Sequence, residues 1–71
     1  MAKAKDDGQP IYREIGCKVE WRWYRTLKSA KKAAAEARKE AITQAARGYD
    51  FGYQTPGSIS KTERGYCVVF P

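Results

Sequence analysis

The sequence predicts an α+β fold: a three-stranded antiparallel sheet of β-α-β-β order, strands arranged 1-3-2, with one alanine-rich helix packed on one face. Three observations predict it. Apolar residues alternate strictly from Ile15 to Trp23, the period then switches to that of a helix from Thr26 to Gly48, and two further extended stretches flank "KTERG" near the C-terminal end.

Along "MAKAKDDGQP", residues 1–10, small and polar side chains offer nothing to offset the entropy of ordering them, so this stretch reads as a flexible tail ahead of a single domain over 11–71. From Ile15, one side of the chain carries Ile15, Cys17, Val19, Trp21 and Trp23, and the other Lys18, Glu20, Arg22 and Tyr24. That is a strand buried on one face. The preceding "IYRE" extends it, with Gly16 as a bulge or bend.

In "TLKSAKKAAAEARKEAITQAARG", Thr26 or Ser29 caps the start, alanine supplies the highest helix propensity and Gly48 provides the stop. At 100° per residue Leu27, Ala30, Ala34, Ala37, Ala41 and Ala45 form one stripe, with Lys28, Lys32 and Lys39 opposite it and Lys31 to one side. So slender a stripe lets the helix approach a sheet closely. Trp21 and Trp23 are the expected fillers of the space between, and Ile42, off the stripe beside Ala35 and Ala46, is expected against a loop or a partner.

After Gly48, "DFGYQ" reads as a short strand or extended loop, and Thr55-Pro56-Gly57-Ser58 suits a type II turn or kink. "KTERG" then joins an edge strand after Pro56 to "YCVVF", which becomes central, with a right-handed crossover through the helix.

Charge is unevenly spread. The chain of 71 residues carries a net charge of +6, and residues 18 to 39 hold eight cationic side chains against Glu20 and Glu36, which accounts for the whole surplus. Such a surface favours polyanions through attraction that salt weakens. No apolar run reaches the roughly 20 residues of a membrane span and no signal-like segment opens the chain, so a soluble cytoplasmic protein is expected. Cys17 and Cys67, far apart in sequence, read as reduced, packed thiols, with a cross-strand disulfide as the alternative.

Catalytic chemistry has little to draw on. Without histidine there is no ordinary proton shuttle near neutral pH and no Ser-His or Cys-His pair, two cysteines cannot complete a structural zinc site, and the glycine spacing fits no phosphate-cradling loop. Most acids lie near bases, as Lys32 and Glu36 do one helical turn apart, and read as charge compensation. The expectation is a protein that is not an enzyme, with no cofactor, metal or small-molecule substrate.

"YCVVF" is apolar at every position, which marks a strand buried on both faces, yet one helix covers only one face of a small sheet. Either Tyr66, Val68 and Phe70, or Cys67 and Val69, therefore point away from the helix, alongside Lys18, Arg22 and Tyr24. An exposed patch rimmed with charge marks an interaction site, unless the N-terminal segment with Ile11 and Tyr12 folds back over it. Two partner classes fit. Nucleic acid is expected first, with Tyr24, Tyr66 and Phe70 stacking on bases and Lys18, Arg22, Arg25 and Arg64 holding phosphates. The alternative is a protein interface centred on Val68 and Val69, either a homodimer or a contact with an acidic partner. The lysine face of the helix, Lys28, Lys31, Lys32 and Lys39, is either a duplex-backbone surface or simply solvated.

The one-helix, three-strand arrangement resembles several small DNA-binding sheets, and also small phage- and plasmid-encoded proteins that bind host or defence proteins; it is a likeness of architecture, which does not fix function. "RGYCVVF" echoes only the basic-glycine-aromatic opening of the longer strand motif of RNA-recognition domains, and the element order differs.

Overall fold

The computed structural model describes residues 8–52 and 55–71. Most of the expected tail, residues 1–7, and Tyr53 and Gln54 of "DFGYQ" lie outside the described residues. The chain runs β1 (Tyr12–Ile15), β2 (Glu20–Tyr24), α1 (Leu27–Ala46), β3 (Ile59–Thr62) and β4 (Gly65–Phe70). The α+β class stands, but the sheet has four antiparallel-paired strands in the order β1-β2-β4-β3, where three were expected. The added strand comes from "YREI".

Those residues do not prolong the next strand. They fold back on it as a hairpin, with Ile15 opposite Glu20 and Tyr12 opposite Trp23. Gly16 N–H donates to Val19 C=O at 2.8 Å and closes a four-residue turn, so Gly16 marks a reversal and not a bulge. A side chain there would run into the Trp21 ring, 2.6 Å from the position a Cβ would occupy. Ile15 and Cys17, read as inward-facing strand residues, are instead exposed at the strand end and in the turn.

The helix ends are built as the sequence suggests. Thr26 sits in extended conformation and its hydroxyl accepts from Ser29 N–H at 3.2 Å, so Thr26 is the N-cap. At the far end Arg47 and Gly48 N–H groups close onto Gln44 and Ala45, and Gly48 takes the positive φ, +88°, that ends many helices. Twenty residues make a rod about 30 Å long, whereas the six residues of β4 span about 20 Å. The helix therefore overhangs the sheet: its buried residues are Ser29, Ala30, Ala33, Ala34 and Ala37, none lies beyond Ala37, and Ile42 is 73% exposed.

α1 crosses from β2 to β3, which run parallel with β4 between them, and lies over β4. Ala30, Ala34, Ala37 and Val68 are all fully buried, and Tyr24 and Phe70 complete the core with Ile59 and Tyr66 packed at its margin. The tryptophans are not in it. Each large side chain buried here contributes about 1.5–3 kcal/mol, and with alanines opposite, β4 and Tyr24 alone fill the gap.

The Thr55–Ser58 turn forms with Ser58 N–H donating to Thr55 C=O at 3.1 Å and Gly57 at φ +91°, as a type II turn requires. Gly57 N–H continues to Val69 C=O at 2.8 Å, and Arg38 of α1 donates to Gly57 C=O at 3.3 Å, which ties helix, turn and central strand together. Ala34 C=O lies 3.2 Å from where a Cβ on Gly57 would sit, so the helix passes this turn with no room to spare.

A bulkier residue at the point of closest approach should lift the helix. Ala34→Leu is expected to lower unfolding free energy by about 1–3 kcal/mol in urea titration followed by circular dichroism. The exposed substitution Ala35→Leu should change it by less than about 0.5 kcal/mol.

Candidate functional site

Strand pairing fixes which side chains share a face. Arg13, Arg22, Val68 and Ile59 lie in one row on the helix side, flanked by Ile15, Glu20 and Phe70 in one direction and Tyr24, Tyr66 and Lys61 in the other. On the opposite side Tyr12, Trp23, Cys67 and Ser60 form one row and Glu14, Trp21 and Val69 the next, with Thr62 at the edge. No layer covers this second face among the described residues. The tryptophans expected under the helix lie here, half-buried.

Several expected contact residues are consequently out of reach. Tyr24, Val68 and Phe70 are buried beneath α1 and Tyr66 packs beside them, so they cannot form an open platform with Arg22. Arg22 is itself engaged: its Nε donates to Glu20 Oε2 at 2.8 Å, and its guanidinium lies 4.0 Å from the Phe70 ring centre. Lys18, in the β1–β2 turn, pairs with Asp50 at 3.6 Å, and Tyr49 Oη donates to its carbonyl. Arg25 is exposed in the link to the helix. Of the expected contact residues, Arg64 stands over the open face and Val69 lies in it.

Arg64 sits at the tip of the β3–β4 hairpin. Its guanidinium lies 3.9 Å from the Tyr12 ring centre and 5.3 Å from that of Trp23, and the two rings meet edge to face at 5.2 Å. Thr62 Oγ1 anchors the group by accepting from Trp23 Nε1 at 3.0 Å and from Arg64 N–H at 3.2 Å while donating to Gly65 C=O. Trp21 closes the other end against Gly16, and Tyr12 Oη donates to Glu14. Sequence reasoning missed Tyr12, Trp21 and Trp23 as surface residues. Reading Gly16–Val19 as a hairpin turn would have placed Tyr12 beside Trp23 and exposed the grouping.

Cys67 lies under these rings and Cys17 in the exposed turn; both are free thiols, so Cys17 is not packed as expected. Burial, and to a lesser degree Glu14, pushes the Cys67 thiol up, away from the reactive thiolate. A cleft of about 690 Å³ opens between the helix overhang and the β2–β4 ends, with Arg22, Lys39, Glu40 and Phe70 among its walls. Among the described residues no three metal-ligating side chains cluster, and no helix is long and apolar enough to cross a membrane.

The shared carboxylate of Glu20 is the strongest electrostatic feature. Arg22 first, and Arg13 at 2.6 Å, hold it ionised down to about pH 2 against the opposing effect of burial. Burial likewise pushes the Tyr24 phenol up. A carboxylate depressed on folding stabilises the fold above its unfolded value of 4.5, and that contribution disappears as pH falls to about 2. Screening at Arg13, 56% exposed, reduces the effect to about 1–2 kcal/mol. Glu20→Gln should therefore lower stability by that amount at pH 7 and flatten its fall between pH 4.5 and 2, measured by urea unfolding across pH. Comparison of the chain with protein-family models, curated proteins and solved structures finds no match.

Proposed function

We propose that this protein is a non-catalytic interaction module that pairs with a second copy of itself through the open sheet face, sheets inward and helices outermost. The observation that carries this reading is a sheet face bearing Trp21, Trp23, Tyr12, Cys67 and Val69 with no second layer over it among the described residues. Sheets are stable when both faces are covered or when the outer face is polar, and this face is neither.

Tyr12 to Ile15 do not supply the roof, because they lie in the plane of the sheet as its edge strand. Residues 1–7, Met-Ala-Lys-Ala-Lys-Asp-Asp, hold one large apolar side chain. Charge favours a second copy over other occupants. The strand rows carry Glu14, and at the hairpin tip Arg64 stands above the rings with Glu63 beside it, so the face has no cationic excess and offers a copy of itself both acids and a base. The net charge of +6 is concentrated on the helix side, and stacking the sheets about 10 Å apart leaves the helices roughly 30 Å from each other. That exceeds three screening lengths at physiological salt.

Stacking of bases on the same rings is the competing reading, supported by Arg64 over Tyr12 and Trp23. Nucleic-acid affinity, however, depends mainly on several cations neutralising phosphates. One arginine beside carboxylates is a poor source of it.

Four strands and about five residues per strand give a footprint of roughly 19 by 17 Å, well below the about 800 Å² per partner of a standard interface, so weak association, high-micromolar or looser, is expected. Sedimentation equilibrium should show mass rising from 8.0 kDa toward twice that value with concentration. Val69→Asp, or the milder Val69→Thr should charge impair folding, is expected to weaken dimerisation at least tenfold, and Ile42→Asp on the helix to leave it unchanged. A monomer at every concentration up to the millimolar range overturns the proposal, as does a dimer indifferent to Val69.

A further inference from the structure

We infer that the solvent face of α1 is a second binding surface, one that holds the phosphate backbone of a duplex nucleic acid without reading its bases. Lys28, Lys31, Lys32 and Lys39 are all exposed, and at 100° per residue they fall within an arc of about 100° that contains no acid. Glu36 and Glu40 lie outside that arc on the side of Arg22, where they share a cleft with Lys39 at the border of the face. From Lys28 to Lys39 the face runs about 16 Å, a length over which duplex DNA presents roughly ten charges. Ala35 lies between the lysines and leaves the way clear for close approach.

These lysines serve no evident purpose within the fold. Among the described residues none of the four is ion-paired, and the expected Lys32–Glu36 pair does not form; the acids that do pair, Glu20 and Asp50, do so elsewhere. Their placement also opposes the helix dipole. The first turn has no acid and the last turn no base, while Lys28, Lys31 and Lys32 crowd the positive end. A helix optimised for stability would carry the reverse. A bound polyanion turns this liability into attraction.

Duplex is favoured over single-stranded nucleic acid because the face has no aromatic ring to stack on a base; its remaining exposed members are Ala35, Ile42 and Ala46. Readout of sequence is equally unsupported, since lysine is a point charge without the planar fork that reads guanine. The surface is independent of the dimer interface, which lies on the other side of the sheet. In a dimer the two basic helices face outward in opposite directions.

Fluorescence anisotropy with a labelled 20-base-pair duplex of mixed sequence tests the inference. Four phosphate contacts predict a slope of about −3.6 in log affinity against log salt, which is a loss of roughly 100-fold between 50 and 200 mM. The triple variant Lys28→Gln, Lys32→Gln, Lys39→Gln retains helix propensity and, once circular dichroism shows an unchanged helix, should lower the slope to about −1 and weaken low-salt binding at least tenfold. Should the triple variant unfold, the single Lys32→Gln is expected to reduce the slope by about one. Arg64→Gln, on the opposite face, should bind as the parent does, and a second duplex of unrelated sequence should bind within about threefold of the first. Absence of binding at 20 mM salt, parent-like binding by the lysine variants, more than tenfold preference between the duplexes, or tighter binding to polyglutamate than to DNA each overturns it.

Discussion

The close approach of an alanine-lined helix to a single central strand is the constraint from which the rest of the molecule follows. Ala30, Ala34 and Ala37 are fully buried over Val68, and the Gly57 turn is threaded so near Ala34 and Arg38 that no side chain fits there. So narrow a gap is filled by Val68, Phe70 and Tyr24. Indole rings are too large for it, and the parity of β2 therefore sends Trp21 and Trp23 to the other side of the sheet. A compact core on one face and an aromatic surplus on the other are two results of one packing choice.

That choice also separates the charges. The helix, by lying with alanine inward, turns its lysines to solvent, while Glu20, Arg13 and Arg22 settle their charges among themselves along the uncovered flank beside the helix. The aromatic face keeps Arg64 over Tyr12 and Trp23, with Glu14 nearby. An aromatic surface and a cationic one thus occupy opposite sides of a very small protein.

Much of this was legible before the structure. The period of 3.6 and the Thr26 and Gly48 signals place the helix to within a residue or two, and the turn at Pro56-Gly57 and the "KTERG" hairpin place the last two strands in the expected order relative to β2. The all-apolar "YCVVF" places apolar side chains on both faces of the sheet, Val68 and Phe70 under the helix and Cys67 and Val69 on the other side. Parity was not legible, for a physical reason: β4 is apolar on both faces, so either register with β2 looks equally good, and alternation in β2 defines two sets without saying which meets the helix. Unbroken alternation across Gly16 also concealed a turn, because Ile15, Cys17 and Val19 continue the pattern although the chain reverses there. The site residues failed with the parity: Tyr24, Val68 and Phe70 exchanged places with the tryptophans, while Arg64, fixed by its hairpin, stayed on the open side.

Acrylamide quenching of tryptophan fluorescence as a function of protein concentration bears most directly on the open face, because both indoles of the chain lie on it. A face that docks a second copy predicts rings accessible to quencher in dilute solution and shielded as concentration rises, with half the change at the same concentration as half the dimer mass. Rings shielded equally at nanomolar and millimolar concentration would mean that the chain covers its own tryptophans, and rings accessible throughout would mean that no second copy docks there; either result contradicts the paired-sheet arrangement.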